Sequence, residues 1–309
     1  MGRGGPRLRR DCRLRSTAPA MRNVTPATLT QAFADYAAKA EDARTKEVLC
    51  SLAKHLHAFV QETRLSHAEW MAGLMALTRA ADVTTPERNE FILFSDLFGV
   101  SALVDMVNTP PGATSCSNLG PFHQRGAPPL ADGGDLWKGQ PGEVMVVTGR
   151  VLDAATGEGI GGATLDMWQN ADNGFYAAQD ADQPAKNYHA LLTCAADGSF
   201  AFSTTRPQPY TVPYDGPAGD MLRGLARDAW RPAHLHVIAE APAYRPLVTE
   251  LFLEDDPYLD SDAVFGVRSD LVVPLGSMAR AETPAHLIAR DRLPDRVLHA
   301  PLLIRMARN

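Results

Sequence analysis

The stretch Trp230-Arg231-Pro232-Ala233-His234-Leu235-His236-Val237 decides how this chain is read. Polar and apolar residues alternate through it, and Val237-Ile238 continue as an apolar run. The period is two, which predicts a β-strand. Residues i and i+2 of a strand point to the same face. His234 and His236 therefore aim their imidazoles at one point, the simplest way for a strand to offer two metal ligands. The pattern alone leaves a second reading open, two polar residues on a solvated strand face.

Outward from that motif, further strands are predicted at 144–152, 163–169, 200–205 and 247–253, with turns at Thr156-Gly157-Glu158-Gly159 and Ala196-Asp197-Gly198-Ser199. Several short strands punctuated by Gly, Asp and Pro, with few helices between them, predict a β-sandwich. The region from 25 to 108 reads differently, with apolar residues at helical spacing. A first helix is predicted to start at Thr25-Pro26, and Val48, Leu49, Leu52, Leu56, Phe59 and Val60 form a second stripe. Ser66-His67-Ala68-Glu69 is a capping box ahead of a third helix. Thr85-Pro86-Glu87-Arg88 opens a fourth, and Leu103 to Val107 lie on a fifth. The surplus of apolar residues there suits a dimer interface or a lid.

The chain has 309 residues, 45% hydrophobic and 21% charged, with a net charge of -6 and a pI of about 5.8. A mildly acidic chain has no general attraction for nucleic acid or anionic membrane, and no apolar run approaches the roughly 20 residues of a membrane span. Cys12, Cys50, Cys116 and Cys194 are scattered with no CxxC pair, which argues against a cysteine zinc site or a disulfide framework and for a reducing cytoplasm. The first 22 residues hold seven arginines and no lysine. Without an apolar signal segment they read as a disordered basic leader, and Met21 is a candidate start.

Two tyrosines stand in distinctive settings. Trp168-Gln169-Asn170-Ala171-Asp172-Asn173-Gly174-Phe175-Tyr176 ends a strand in a polar loop. Arg206-Pro207-Gln208-Pro209-Tyr210-Thr211-Val212-Pro213-Tyr214 holds Tyr210 among prolines. Taken singly, each is as readily a packing residue with a satisfied hydroxyl. Together with Leu119-Gly120-Pro121-Phe122-His123, Asp166-Met167-Trp168-Gln169, Arg231-Pro232-Ala233-His234-Leu235-His236 and Asp256-Pro257-Tyr258-Leu259-Asp260-Ser261-Asp262-Ala263-Val264-Phe265, they occur in the order of a known family. From about 25 to 274 the chain resembles the intradiol ring-cleavage dioxygenases.

That resemblance implies a mixed, mainly β fold. A β-sandwich catalytic domain (119–309) follows an N-terminal α-helical dimerisation domain (23–118) and the leader (1–22). It implies one non-haem Fe(III) per chain, held by Tyr176, Tyr210, His234 and His236. Hard ferric iron favours anionic oxygen donors, which phenolates supply, and a pair of phenolates is a poor fit for zinc. The reaction implied is cleavage of a small aromatic diol by O2 between its two oxygenated carbons, with Tyr210 accepting a proton from the diol and Arg231 stabilising negative charge. The family often carries Gln fourteen residues after the second histidine, where this chain has Glu250, a carboxylate that could accept a proton near the metal or reach back to Arg231. The resemblance further implies a homodimer through the N-terminal helices, in some members with an amphipathic lipid in the dimer tunnel.

For the substrate pocket the resemblance points to Asn118, Pro121 and Phe122 on one side and Ala263 and Val264 on the other, with Leu77, Ala80 and Asp82 as a further wall. The segment 256–267 is most similar to hydroxyquinol 1,2-dioxygenases, with chlorocatechol and catechol enzymes as alternatives. A third hydroxyl calls for a polar partner such as Asp82 or Asn118. Outside the family, a zinc hydrolase built on His234 and His236, or a binding β-sandwich without chemistry, are the competing classes.

Overall fold

A computed structural model describes residues 22–85 and 88–309. Apart from Arg22, the leader, with Cys12 and Met21, lies outside the described residues. So do Pro86 and Glu87 of the predicted fourth-helix start. By internal contacts the chain forms two compact units, one ending at Met75 and one spanning Ala76–Asn309.

The helices of the N-terminal region are α1 (Leu29–Tyr36), α2 (Ala43–Thr63), α3 (His67–Val83), α4 (Glu90–Leu97) and α5 (Val100–Asn108). Within the first unit α1 lies against α2, where the Thr30 hydroxyl meets His57 Nδ1 at 3.0 Å. The capping box before α3 is present, with Ser66 N–H donating to the Glu69 carboxylate and Glu69 N–H to Ser66 Oγ. Two starts differ from the sequence reading. The first helix begins at Leu29, three residues beyond Pro26. The fourth begins at Glu90, because the Asn89 side chain accepts from the N–H groups of Phe91 and Ile92 and caps there. Leu49, Leu52, Leu56 and Phe59 of α2 are exposed. Among the described residues no helix is long and apolar enough to cross a membrane, and Cys50, Cys116 and Cys194 are unpaired.

The strands are β1 (Pro129–Leu130), β2 (Gly134–Asp135), β3 (Val144–Asp153), β4 (Thr164–Trp168), β5 (His189–Thr193), β6 (Ser199–Thr205) and β7 (Tyr210–Thr211). After helix α6 (Pro217–Gly224) come β8 (Trp230–Arg231), β9 (His234–Glu240), β10 (Leu247–Leu253), β11 (Val272–Val273), β12 (Gly276–Ala279) and β13 (Arg296–Met306). One sheet has the order β1-β5-β4-β9-β10-β11, the other β12-β13-β3-β6-β2. Leu165, Met167, Leu192, Leu235 and Val237 of the first face Met145, Val147, Phe202, Leu302 and Ile304 of the second in one core. The fold is thus a β-sandwich preceded in the sequence by N-terminal helices.

The His-x-His strand sits inside its sheet, paired with β4 on one side and β10 on the other. From His234 to Val237 neither of its faces is solvated. Leu235 and Val237 fill the sandwich core and, by the period of two, His234 and His236 leave from the opposite face. That excludes the solvated-strand reading. Among the elements that escaped the sequence reading are β5, β13 and α6. In β13, Pro301 demotes an otherwise alternating run. In β5, two polar ends hide a short buried strand, and α6 is announced only by Gly216-Pro217.

Candidate metal centre

Four side chains from three segments meet on the outer face of the first sheet. His234 Nε2 and His236 Nε2 are 3.2 Å apart. Tyr176, in the loop that leaves β4, brings its hydroxyl to 3.4 Å from His234 Nε2. Tyr210 is carried in by the pairing of β7 with β8, which sets it directly opposite Arg231. Its ring centroid is 5.6 Å from that of His234 and 5.5 Å from that of Tyr176. All four residues are buried.

Local chemistry prepares these groups to hold a cation. His234 Nδ1 is 2.7 Å from the carbonyl oxygen of Pro232. A carbonyl only accepts, so Nδ1 carries the proton and Nε2 presents a lone pair to the cluster. Burial lowers the pKa of both histidines, helped by the Arg231 charge at His234 and by His234 itself at His236. Both imidazoles are therefore neutral, the form that ligates metals. Burial likewise raises both phenols, and Tyr210 adds to the effect at Tyr176. Phenols in such a place ionise only against a strong local positive charge. Two phenolate oxygens and two imidazole nitrogens fit a hard, highly charged ion.

Neighbouring rings fix the ligand orientations. Trp168 stacks on His236 with centroids 4.7 Å apart and planes 3° from parallel, and Phe122 stacks on Tyr176 at 4.6 Å. Gly120 packs so tightly that a Cβ would lie 3.0 Å from His236 Cε1, and its φ of +70° is left-handed. Gly120→Ala is expected to push His236 aside and lower both metal content and turnover, the latter roughly 10- to 100-fold. Metal analysis and steady-state rates on the same sample check this.

Behind the cluster lies a buried ionic group. Arg231 donates both terminal nitrogens to Glu250, at 2.6 and 3.0 Å, and its Nε to Asp262 at 3.1 Å. Ser117 donates to the same Glu250 carboxylate at 2.7 Å. Burial disfavours the Arg231 charge, but Asp262 and Glu250 outweigh it and hold its pKa well above the usual value. Burial also works against the Glu250 anion, yet Arg231, through its charge and its hydrogen bonds, keeps the carboxyl far below the usual range. A Cβ at Gly266 would lie 2.8 Å from both Arg231 and Glu250, so this position admits only glycine without movement. Glu250 Oε1 is 3.5 Å from His234 Nε2, so His234, His236 and Glu250 by themselves form a candidate ligand set. The tyrosines complete the set better, because both oxygens of Glu250 are already engaged by Arg231.

The centre opens into a cavity of about 490 Å³ lined by Asn118, Phe122, Tyr210, Val212, Arg231 and Val264, among others. The side-chain amide of Asn118 is buried with neither end hydrogen-bonded, a group prepared for a ligand.

Residues 120–290 match the family model described as Dioxygenase, and residues 42–115 match the one described as Catechol dioxygenase N terminus. The chain belongs to the intradiol ring-cleavage dioxygenases. It is 43% identical over 246 residues to 6-chlorohydroxyquinol 1,2-dioxygenase of Cupriavidus pinatubonensis, covering 79% of this chain and 89% of that one. Hydroxyquinol 1,2-dioxygenase of a Rhizobium species is 40% identical, covering 80% and 84%. The solved structure of hydroxyquinol 1,2-dioxygenase from Pseudomonas putida DLL-E4 has a TM-score of 0.84 at 40% identity, covering 92% of this chain and 99% of that one. The protein is therefore a ring-cleaving dioxygenase acting on a catechol-type diol with O2, in a family whose chemistry uses non-haem iron. The zinc-hydrolase and binding-module readings give way to it.

Among the pocket residues expected for this dioxygenase, Asn118, Pro121, Phe122 and Val264 line the cavity. Ala263 is buried but does not line it. Leu77 and Asp82 are exposed on α3 and also lie outside the lining, while Ala80 is fully buried. The wall assigned to them is built instead by Asn89, Ile92, Leu93 and Asp96, after a bridge between Thr85 and Arg88 turns the chain into α4. Asp96 is a carboxylate of the cavity wall that the sequence reading did not single out. Its signal was a lone acidic residue in the apolar run Phe91-Ile92-Leu93-Phe94-Ser95-Asp96-Leu97.

Proposed function

We propose that the chain is an Fe(III) intradiol dioxygenase that opens hydroxyquinol (1,2,4-trihydroxybenzene) to 3-hydroxy-cis,cis-muconate, the enol form of maleylacetate. Tyr176, Tyr210, His234 and His236 would hold one iron per chain. When bound, ferric iron supplies the Lewis acidity and electron-accepting character that make a chelated diol reactive toward O2. Charge supports the ferric state. A trivalent ion with two phenolates carries one net positive charge, and the buried Arg231–Glu250–Asp262 group carries one net negative charge.

The chain's own residues do the rest. Tyr210, the one ligand tyrosine that lines the cavity, takes a proton at its hydroxyl oxygen from the entering diol. Arg231, locked by its carboxylates, presents fixed positive charge to the electron-rich ring. Phe122, Val212 and Val264 exclude water around the reacting carbons.

The observation that carries the substrate assignment is Asp96 in the pocket wall. Burial lifts its carboxyl to about 6 against the opposing Ser101 and Arg231 contributions, so it is mostly ionised at pH 7 and can accept from a third hydroxyl. The similarity to hydroxyquinol enzymes agrees. Asp96→Asn is expected to lower the ratio of kcat/KM for hydroxyquinol over catechol about 10-fold or more, the size of one charge-assisted hydrogen bond. In the parent protein the same ratio should decline as pH falls through about 6, where protonation removes the anionic acceptor. An anaerobic titration of the iron-tyrosinate band with each diol, together with these rates, tests the reading. Catechol turned over faster than hydroxyquinol, or an Asn variant with an unchanged ratio, would overturn it in favour of a catechol or chlorocatechol enzyme.

Within this reading 1–22 is a leader, 23–118 the dimerisation and linker region, 119–309 the catalytic domain, and the location cytoplasmic. The exposed α2 stripe of Leu49, Leu52, Leu56 and Phe59 supports a homodimer with an amphipathic lipid along it. Sedimentation at a monomer mass would remove that part.

A further inference from the structure

The ring-cleavage chemistry leaves one cluster of metal-binding side chains without a task. His189 opens β5 opposite Trp168 of β4, and Asp166 lies two residues before Trp168, so the three share one sheet face. His123, from the loop after Gly120, closes over them. His189 Nε2 is 2.6 Å from Asp166 Oδ1, and His123 Nε2 is 3.1 Å from Asp166 Oδ2. One ligand atom from each residue can be chosen so that all lie within 4.8 Å of one another. The rings are held by their neighbours, His123 lying 4.7 Å from Trp168 and 5.4 Å from His189 between centroids.

We propose that His123, Asp166 and His189 form a second metal site, separate from the iron centre and suited to a divalent cation of the zinc type. Two imidazole nitrogens and one carboxylate oxygen, with a fourth position left open, are a zinc donor set. Donors around a tetrahedral zinc ion at about 2.0–2.1 Å stand roughly 3.3 Å apart, and the three donors here, all within 4.8 Å of one another, reach that spacing with a small rearrangement. A single carboxylate leaves one net positive charge on a divalent ion and two on a trivalent one, so the site disfavours ferric iron. The side chains of His123 and Asp166 are 18% and 20% exposed against 4% for His189, which leaves an entry path on one side. Trp168 separates the two centres, one of its faces lying on the iron-side His236. The proposal does not depend on which diol is cleaved or on the iron being ferric.

The test is equilibrium dialysis of the iron-loaded protein against Zn2+, followed by metal analysis, with Co2+ as the spectroscopic substitute. One Zn2+ per chain is expected in addition to the iron, at a Kd of about micromolar or tighter. Co2+ should give the intense visible bands of a four-coordinate site. His189→Gln and Asp166→Asn should each weaken Zn2+ binding about 100-fold while the iron content and colour stay as in the parent. If either loses its iron and its fold, His123→Gln, on the exposed side of the cluster, is read in the same way. Three results overturn the proposal: no second equivalent of metal, Zn2+ gained only as iron is lost, or variants that bind Zn2+ like the parent. Any of them reduces the cluster to a hydrogen-bonded triad.

Discussion

Tyr176→Phe and Tyr210→Phe are each expected to give a folded protein whose ring-cleavage rate has fallen at least about 1000-fold, a loss of roughly 4 kcal/mol in transition-state stabilisation. Each substitution deletes a single oxygen atom from a buried aromatic cluster in which Trp168, Tyr176 and Tyr210 pack with Phe122. The Tyr176 hydroxyl lies 3.4 Å from His234 Nε2 and also bonds with the Tyr210 hydroxyl, neutral contacts whose removal should change stability by only about 1–2 kcal/mol. The catalytic loss is therefore separable from misfolding. Iron content should drop in both variants, and the tyrosinate charge-transfer band should weaken by about half in whatever iron remains. Tyr214→Phe is the control, since Tyr214 is 51% exposed and should keep rate and colour. A Tyr210→Phe protein with the full band, beside a Tyr214→Phe protein that has lost it, would reverse the ligand assignment.

Removing Arg231 should produce a large loss of stability. Its guanidinium is the positive member of a buried group with Glu250 and Asp262, and Arg231→Met strands two carboxylates away from water. Breaking one side of a buried ion pair typically costs about 3–5 kcal/mol. Urea unfolding at pH 7 should show at least that loss, together with inactivation. Arg231→Lys keeps the charge without the planar fork and should fall between the two.

The pH dependence gives a sharper signature. In the parent, Glu250 is held below its ordinary carboxyl range in the folded state. Its stabilisation is thus fully present above about 4.5 and is lost as pH falls below that value. In Arg231→Met the dominant remaining influence is burial, which raises the folded pKa above the unfolded one. That variant should gain stability as pH drops from neutral toward about 4.5. Between neutral pH and about 4.5 the Glu250 contribution should stay flat in the parent and rise with falling pH in Arg231→Met, and parallel slopes in that window would mean that Arg231 does not hold Glu250 ionised.

How much of this could be read before folding depends on the range of the signal. The capping box at Ser66 and Glu69 involves four consecutive residues and can be read directly, as can the shared face of His234 and His236. Asp82 and Asp96 could not be ranked in that way. Both are carboxylates in helical stretches rich in apolar residues, and which one meets the cavity depends on how the chain passes from α3 to α4 around the Thr85–Arg88 bridge. That passage leaves Asp82 exposed on α3 and brings Asp96 of α4 into the wall. Glu250 was open between the metal and Arg231, and the pairing of β10 with β9, which puts Glu250 directly opposite His236, brings it within reach of both.

By itself the sequence determined the β-sandwich class, the helical N-terminal region and the family, and it named the side chains of the candidate metal centre, because these follow from strand and helix periods and from motifs of a few residues. Only the tertiary structure decided that Arg231 is locked between Glu250 and Asp262, that Asp96 is the pocket carboxylate, and that His123, Asp166 and His189 stand together. Each of those contacts joins segments whose sequence separation carries no periodic signal. Strand register and close packing select them, since a buried charge or polar group must find its partner across the sheet or leave its desolvation uncompensated.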